Sequence, residues 1–404
     1  MLTEKKDLRT GTPVWDSYPV PRIPFTELKS DQKADVVIIG AGITGAMTAV
    51  ELTELGLSVI LLDRHRPVRG STFASTALLQ YELDTPLIKL KRKIGTDNAF
   101  QAWRRSKLGI ESLAAKIQAC NIACDFSRKD TLYLAGNVLD PEQLRDEHAA
   151  RNLIGLETSY LAQKELKTTY GISRKAALHS YGSMTVNPVR LAAGLLKTAI
   201  INGAKIFSPV TATDIHPGRS GVIVETDNGP SIAAKYVIFA GGYEFPKQMR
   251  SKYHKVHSTY AIATKPQPGK LWPDKLLIWE ASDPYLYMRT TPDGRIICGG
   301  EDEAFSNTEK RDALLARKTA TLQRKLGKMF PNIDPVADYA WTGSFGSSTT
   351  GLPLIGPVPG MNNCFAIMAF GGNGITFSRI AAEIIRAKLA GKQDPDEKLF
   401  QFKS

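Results

Sequence analysis

Cysteine is scarce in this chain and unpatterned. Cys120, Cys124, Cys298 and Cys364 form no CxxC pair and have no histidine at metal-ligand spacing, which argues against a zinc ribbon, a redox dithiol or a disulfide scaffold. Cys120 and Cys124 stand four apart in a helical stretch and read as two half-buried small apolar residues. Four scattered cysteines suit a reducing cytoplasm. Histidine is as sparse, and His254 and His257 alternate with small or apolar residues near a strand rather than marking a zinc site; no metal is expected. No run approaches the roughly 20 apolar residues that span a bilayer. Residues 1–33 contain no apolar h-region, so neither a transmembrane segment nor a cleaved signal peptide is expected. There is no internal repeat, no low-complexity tract, no Ser–His–Asp set and no paired carboxylates. Acidic residues are outnumbered, giving a net charge of +12 with basic clusters at Arg64–Arg69, Lys89–Lys93 and Arg104–Lys107. No stacking-aromatic motif accompanies them, so they read as solvated surface and attraction for an anionic cofactor or substrate, not as a nucleic-acid site.

What is present is concentrated near residue 40. Val36–Ile39 is a continuous apolar run, as expected of a parallel strand buried on both faces. Gly40, Gly42 and Gly45 follow as GxGxxG, with Ile43 and Thr44 between them, and helical periodicity continues to Gly56. Leu57–Asp63 then reads as a second strand ending in an acid. Gly40 makes the tight turn, Gly42 admits a pyrophosphate to the backbone, and Gly45 lets the helix pack on the strand. Free N–H groups and the helix dipole favour the anion, and Asp63 is placed to accept from ribose hydroxyls. A bound dinucleotide is expected.

At 404 residues, two domains are expected. Prolines 13, 19, 21 and 24 among Trp15, Tyr18 and Phe25 point to an extended arm over 1–33. A helix is expected over about 97–123, another from Asp140-Pro141, and a third from Asn187-Pro188 to Asn202, where Gly203 stops it. Strands are expected at 125–135, 205–215, 222–226, 236–240, 256–264, 276–279, 286–289 and 295–298, with a helix over about 309–328. A last strand, Cys364–Ala369, runs through a glycine-rich turn into the helix Ile375–Leu389. Nucleotide-type elements recur at three separated places, which predicts a doubly wound α/β (Rossmann-like) domain from 34–95, 185–250 and 335–404. An inserted antiparallel-sheet α+β substrate domain takes 96–184 and 251–334.

The C-terminal turn points to flavin rather than nicotinamide, a plain glycine-rich αβ connection being the other reading. A second helix N-terminus around Gly372–Ile375 offers backbone N–H groups suited to a flavin C2 carbonyl, which gathers negative charge on reduction. With that turn the chain resembles the D-amino acid oxidase superfamily of FAD-dependent oxidoreductases, which includes glycine oxidase and sarcosine oxidase. The resemblance covers nearly everything after residue 30. It rests on DVVIIGAGITG at 35–45, LLDR at 61–64, AKYVIFAGGYE at 234–244, YLYMRTTPDGRIICGGEDE at 285–303, TTGLPLIGPVPG at 349–360 and AFGGNGITFS at 369–378. With Tyr-Ala-Ile-Ala-Thr at 260–264 and Gly-Gly-Glu-Asp at 299–302, it is most similar to γ-glutamylputrescine oxidase-like members.

The resemblance implies that Gly40, Gly42, Ile43, Thr44, Gly45, Asp63 and Arg64 hold the ADP half of FAD. It implies that Thr72, Ser75, Thr76, Ala77 and Leu78 line the pyrophosphate, ribityl chain and ring. Val210 would meet the adenine edge through its backbone, while Ala240, Gly241 and Gly242 pass near the ribose. Gly371, Gly372, Asn373, Gly374, Ile375 and Thr376 would cover the ring. Arg289 falls where many relatives clamp a substrate carboxylate, a role its planar fork suits; a strand-surface salt bridge is the other reading. Tyr260, Tyr285 and Tyr287 are candidate pocket aromatics, and Tyr285, Tyr287 and Arg289 share one strand face. Relatives that bind flavin covalently use a cysteine at the position matching Gly343, or a histidine in a loop that here reads Gly70-Ser71-Thr72-Phe73-Ala74; non-covalent FAD is therefore implied. The segment Thr76–Gln80 replaces the family's arginine- or glycine-rich loop, leaving one ring face unassigned.

The implied activity is hydride transfer from a small amine or amino acid to flavin N5, giving an imine that hydrolyses. The substrate is expected to bear a carboxylate. Alternatives are a 2-hydroxy-acid dehydrogenase of the same fold, a non-catalytic flavoprotein with a binding or assembly role, and a flavoprotein acting on RNA.

Overall fold

The computed structural model describes residues 2, 3, 6–246, 249, 254–368 and 370–402. Two sheets organise it. In the first, Gln32–Ile39 lies between Val59–Leu62 and Ile232–Phe239, parallel to both. Lys205–Phe207 extends the sheet beyond Val59–Leu62, and Cys364–Met368 extends it beyond Ile232–Phe239, again in parallel. Leu354–Pro357 closes that edge antiparallel, and the hairpin Ala212–Pro217/Val222–Thr226 joins the start of Ile232–Phe239.

Burial on both faces explains the apolar run. Val36 and Ile38 pack with helices Ile43–Thr53, Pro188–Ile201 and Gly374–Leu389, while Val37 packs with the hairpin on the opposite face. The long helix Thr96–Ala119 lies against Gly374–Leu389.

The second sheet orders Ala337–Ser348, His254–Thr264, Ile296–Glu303, Leu286–Thr290, Leu277–Glu280, Ser127–Leu134, Ala176–Thr185 and Leu78–Leu79, with Thr158–Ala162 also on Ala176–Thr185. Helix Leu315–Met329 covers one of its faces through Leu322 and Leu326; the other face turns toward the first domain.

Several boundaries differ from expectation for identifiable reasons. Ala337–Ser348 pairs along its whole length with His254–Thr264, so it belongs to the second sheet and not to a cofactor segment starting at 335. Leu78–Leu79 likewise pairs with Thr185 and Met184, inside the segment assigned as 34–95. Thr96–Ala119 packs in the first core, so the 96–184 segment is shared between the two bodies. The strand expected at 205–215 is two strands: the chain breaks around Pro209, which has no N–H for a ladder, and only Lys205–Phe207 stays in the parallel sheet. The helix at 309–328 is likewise two, Thr308–Ala313 and Leu315–Met329. Ala369 and the 250/251 boundary lie outside the described residues.

The arm is extended and pinned. Thr12 N–H donates to Ala340 O, while Thr342 and Ser344 N–H groups donate to Thr10 O and Leu8 O. It then turns at Val14–Ser17, where Trp15 is buried. The basic clusters are partly neutralised: Arg64 pairs with Glu244, and Arg105 with Glu383, Asp394 and Asp396. No helix among the described residues is long and apolar enough to cross a membrane.

Candidate active site

A cavity of about 300 Å³ opens at the C-terminal ends of the parallel strands and runs to the second sheet. Its first corner is the turn after Gln32–Ile39. Gly40 takes φ +113°, a left-handed value that side chains disfavour. A Cβ on Gly45 would stand 1.9 Å from Gly40 O, so the helix can approach the strand only without one. Ala41 N–H donates to Asp63 Oδ2 at 2.9 Å, and Ile43 N–H to Thr72 Oγ1 at 2.9 Å. Gly40, Gly42, Ile43, Thr44, Asp63 and Arg64 all line the cavity. Gly45 does not; its part is to permit the packing.

Burial raises the Asp63 carboxyl to about 6, against the N–H donors of His65 and Ala41 and the charge of Arg64. A raised folded-state pKa means this group favours the folded, ligand-free protein below about pH 4, and that contribution is lost as pH rises through 6. Hydroxyl donors from a ribose favour the ionised form, so FAD binding expels a proton below pH 6. FAD affinity is therefore expected to fall by up to about tenfold per pH unit below 6. Fluorescence titration of the apoprotein at several pH values checks this. In Asp63→Asn the slope should flatten and affinity at neutral pH should drop; an unchanged slope would contradict the assignment.

The next wall is the loop through Thr72, Ser75, Thr76, Ala77 and Leu78, which also lines the cavity. Its carbonyls are held from behind. Trp341 Nε1 donates to Ala74 O at 2.9 Å, and Trp15 Nε1 to Ser75 O at 2.7 Å. Arg289 Nη1 donates to Ala77 O at 2.7 Å, to Val186 O at 2.9 Å and, more weakly, to Thr76 O at 3.4 Å. With the carbonyls of 75 and 77 turned outward, the peptide N–H groups of Thr76 and Leu78 point the other way, while the Ser75 N–H donates to Thr72 O at 3.4 Å.

This corrects the reading of Arg289. It is 1% exposed, does not line the cavity, and its Nε donates to Thr290 O. Burial lowers its pKa, and carbonyl acceptors rather than a carboxylate satisfy it. It shares a strand face with Tyr285 and Tyr287, as alternation requires, but lies beyond the cavity floor. Trp15→Ala should weaken FAD binding about tenfold by freeing Ser75 O from its donor, the loss of one hydrogen bond of about 1–1.5 kcal/mol. Trp15→Phe, which keeps the ring packing and removes only the donor, should show the same loss, as read by FAD titration.

The second corner is Gly371–Thr376, all of which lines the cavity. Gly371 has φ +61°, and a Cβ there would meet Asp84 Oδ2 at 2.5 Å. Asp84 accepts from Gly372 N–H at 2.7 Å, Asn373 Nδ2 donates to Glu82 O at 2.7 Å, and Thr376 Oγ1 donates to Gln80 O at 3.2 Å. Helix Gly374–Leu389 begins here, so its first-turn N–H groups, which have no acceptor within the helix, open onto the cavity. Glu82 is fixed by a fully buried cluster in which Arg151 pairs with both Glu82 and Glu147. Sequence reading missed Asp84; its position just before the Thr85-Pro86 helix start carries no motif.

Val210 and Ala240–Gly242 line the cavity at the Asp63 end, and Val210 N–H is already donated to Asp63 O at 2.8 Å. At the other end the second sheet supplies Tyr285, Tyr287, Thr259, Trp279 and Gly343. Tyr260 is not among them. It is 1% exposed and packs with Ile262 and Leu322 under the helix-covered face, its hydroxyl on Arg311 O at 3.3 Å. Alternation puts Thr259 on the cavity side instead, one residue from the expected position.

Does the site fit FAD? Two helix N-termini from distant parts of the chain open onto one cavity. One offers glycine backbone and an adjacent carboxylate, as a pyrophosphate and ribose require. The other offers N–H groups where a reduced flavin gathers charge. Cβ atoms on Gly40 and Gly45 at one corner and on Gly371 and Gly372 at the other would collide with their surroundings. The residues fit the cofactor.

Known proteins agree. The family model described as DAO, FAD dependent oxidoreductase, matches residues 35–388. The chain is 25% identical to gamma-glutamylputrescine oxidoreductase of Escherichia coli (strain K12) over 91% of this chain and 86% of that protein. It is 24% identical to a putative Rieske 2Fe-2S iron–sulfur protein of Bacillus subtilis (strain 168), over 93% and 72%. Among solved structures, glycine oxidase from Geobacillus kaustophilus superposes with a TM-score of 0.74 at 20% identity, covering 90% of this chain and 96% of that one. L-proline dehydrogenase from P. horikoshii gives 0.77 at 17%, covering 92% and 97%. The chain therefore belongs to the DAO family of FAD-dependent oxidoreductases.

Proposed function

We propose that the protein oxidises the C–N bond of a small amine or amino acid at the second-sheet end of the cavity, with FAD held non-covalently. The observation that carries this reading is the chamber between the Gly371–Thr376 turn and the wall formed by Tyr285, Tyr287, Thr259 and Trp279. Relatives named as gamma-glutamylputrescine oxidoreductase, glycine oxidase and L-amino acid deaminase support the substrate class. Gly343 and Ala74 stand where covalent attachment would need a cysteine or histidine, and that supports a non-covalent cofactor.

Bound flavin supplies the two-electron acceptor for a hydride leaving the substrate's α carbon. The substrate would be left as a protonated imine, which water would hydrolyse to a carbonyl compound and ammonium. The protein's part is placement. Thr259, Tyr285 and Tyr287 wall the chamber, and burial raises the pKa of both tyrosines, so their hydroxyls remain donors. The loop 74–78 and the Gly371–Thr376 turn both line this space, and their backbone N–H groups would hold the flavin there.

The test is anaerobic mixing of holoprotein with a panel of amines, amino acids and 2-hydroxy acids. An amine or amino acid is expected to bleach the oxidised flavin, and 2-hydroxy acids are expected not to. Bleaching by a 2-hydroxy acid alone would transfer the reading to C–O oxidation.

A further inference from the structure

The second-sheet end of the cavity is acidic. Asp84 lines it, and its side chain is exposed there although it sits deep in the molecule. Asp302 stands behind the wall beside the hydroxyls of Tyr285 and Thr259, and its Oδ1 is buried with no donor among the described residues. Its strand neighbours Glu301 and Glu303 are taken up by Lys318 from helix Leu315–Met329, so that lysine is spent on other carboxylates.

Among the described lining residues the basic ones are Arg64 and His65. Both lie at the Asp63 end, and Arg64 is paired with Glu244. Arg289 faces away from the cavity. Trp279 Nε1 is a buried donor without an acceptor, but it is neutral and single, and it cannot replace a guanidinium fork toward a carboxylate. Buried carboxylates without a basic partner are costly to ionise. Burial accordingly raises the carboxyl of Asp84, and that of Asp302 to about 6. A cation delivered by the ligand removes that cost, and the aromatic residues Tyr285, Tyr287 and Trp279 line the same chamber.

We propose that this chamber selects a small diamine, whose second, charged ammonium group is held by Asp84 and the Tyr285–Asp302 pair while the other amine is presented for oxidation. The second half of that statement rests on the amine-oxidising reading above; the first half does not.

The two are separated with ligands that have no transferable α hydrogen. 2,5-Dimethylhexane-2,5-diamine is dicationic and 2-aminoisobutyrate is zwitterionic, and both amines sit on fully substituted carbons. Binding to holoprotein is read from the shift in the flavin absorption bands and from the rise in Tm. The diamine is expected to give saturable shifts and the amino acid none. Asp302→Asn and Tyr285→Phe should each weaken the diamine at least tenfold while keeping the flavin. Asp84→Asn should do the same if the Gly371–Gly372 turn survives, and retained flavin checks that it does. Equal or tighter binding of 2-aminoisobutyrate, or an Asp302→Asn protein that binds the diamine like wild type, overturns the proposal. Butane-1,4-diamine is then added anaerobically. Diamine binding without bleaching by any amine removes the enzymatic reading and leaves the recognition site. Bleaching by an amino acid with no diamine binding does the reverse.

Discussion

Arg289→Ala is expected to cost the protein about 3–5 kcal/mol of stability, from several buried carbonyls each left unsatisfied at about 1–3 kcal/mol, and to release its flavin during purification. The guanidinium ties the cofactor loop at Ala77 and, weakly, Thr76 to Val186 at the end of Ala176–Thr185, and it lies 5.8 Å over the Trp15 ring. Removing it takes the guanidinium donor from those oxygens. Arg289→Lys keeps the charge but not the fork, so it should recover part of the Tm and part of the bound flavin. A substrate clamp would behave differently: stability and flavin would stay at wild-type level, and only the KM for a carboxylate substrate would rise. Calorimetry with flavin quantification on the three proteins decides between the two.

Gly45→Ala has the next largest effect. Its Cβ would stand 1.9 Å from Gly40 O and 3.1 Å from Gly40 C, and neither atom can retreat, because Gly40 N–H is tied to Leu62 O at 2.8 Å. The helix must tilt off the strand, at about 1–3 kcal/mol for overpacking of this kind. The pyrophosphate corner opens with it, so FAD binding should be lost outright. Gly269→Ala serves as control: it meets nothing within 4 Å and has no positive φ, and its Tm and flavin content should match wild type. A Gly45→Ala protein that purifies yellow with normal Tm would show that the corner does not need this close approach.

Much of this site was legible in the sequence because its parts are local. A βαβ turn needs glycine at fixed spacing, and Gly40, Gly42 and Asp63 stand together as the motif demands. The Gly371–Thr376 turn is equally local, since strand, turn and helix are consecutive. What sequence could not place were residues whose partners come from elsewhere in the chain. Arg289 sits on the correct strand face, but whether that face meets the cavity or the back of the 74–78 loop depends on how Trp15 and the arm fill the space. Tyr260 missed by one residue: period two gives two faces without saying which is covered by helix Leu315–Met329. Asp84 belongs to a segment ordered by Asn373, Thr376 and the Arg151 cluster, none of which announces itself locally. The break at Pro209 was visible as a proline, yet the apolar residues on both sides disguised it as one strand.

Arg289, once the reason to expect a carboxylate-bearing substrate, belongs instead to the apparatus that shapes the loop. The amine-oxidising account rests on the chamber itself. It is tested most directly by stopped-flow, anaerobic flavin reduction with a reactive amine and its α-deuterated form. The account predicts loss of the oxidised flavin band in one two-electron step that slows severalfold on deuteration. Flavin that stays oxidised with every amine and amino acid, while dithionite reduces it readily, would contradict it.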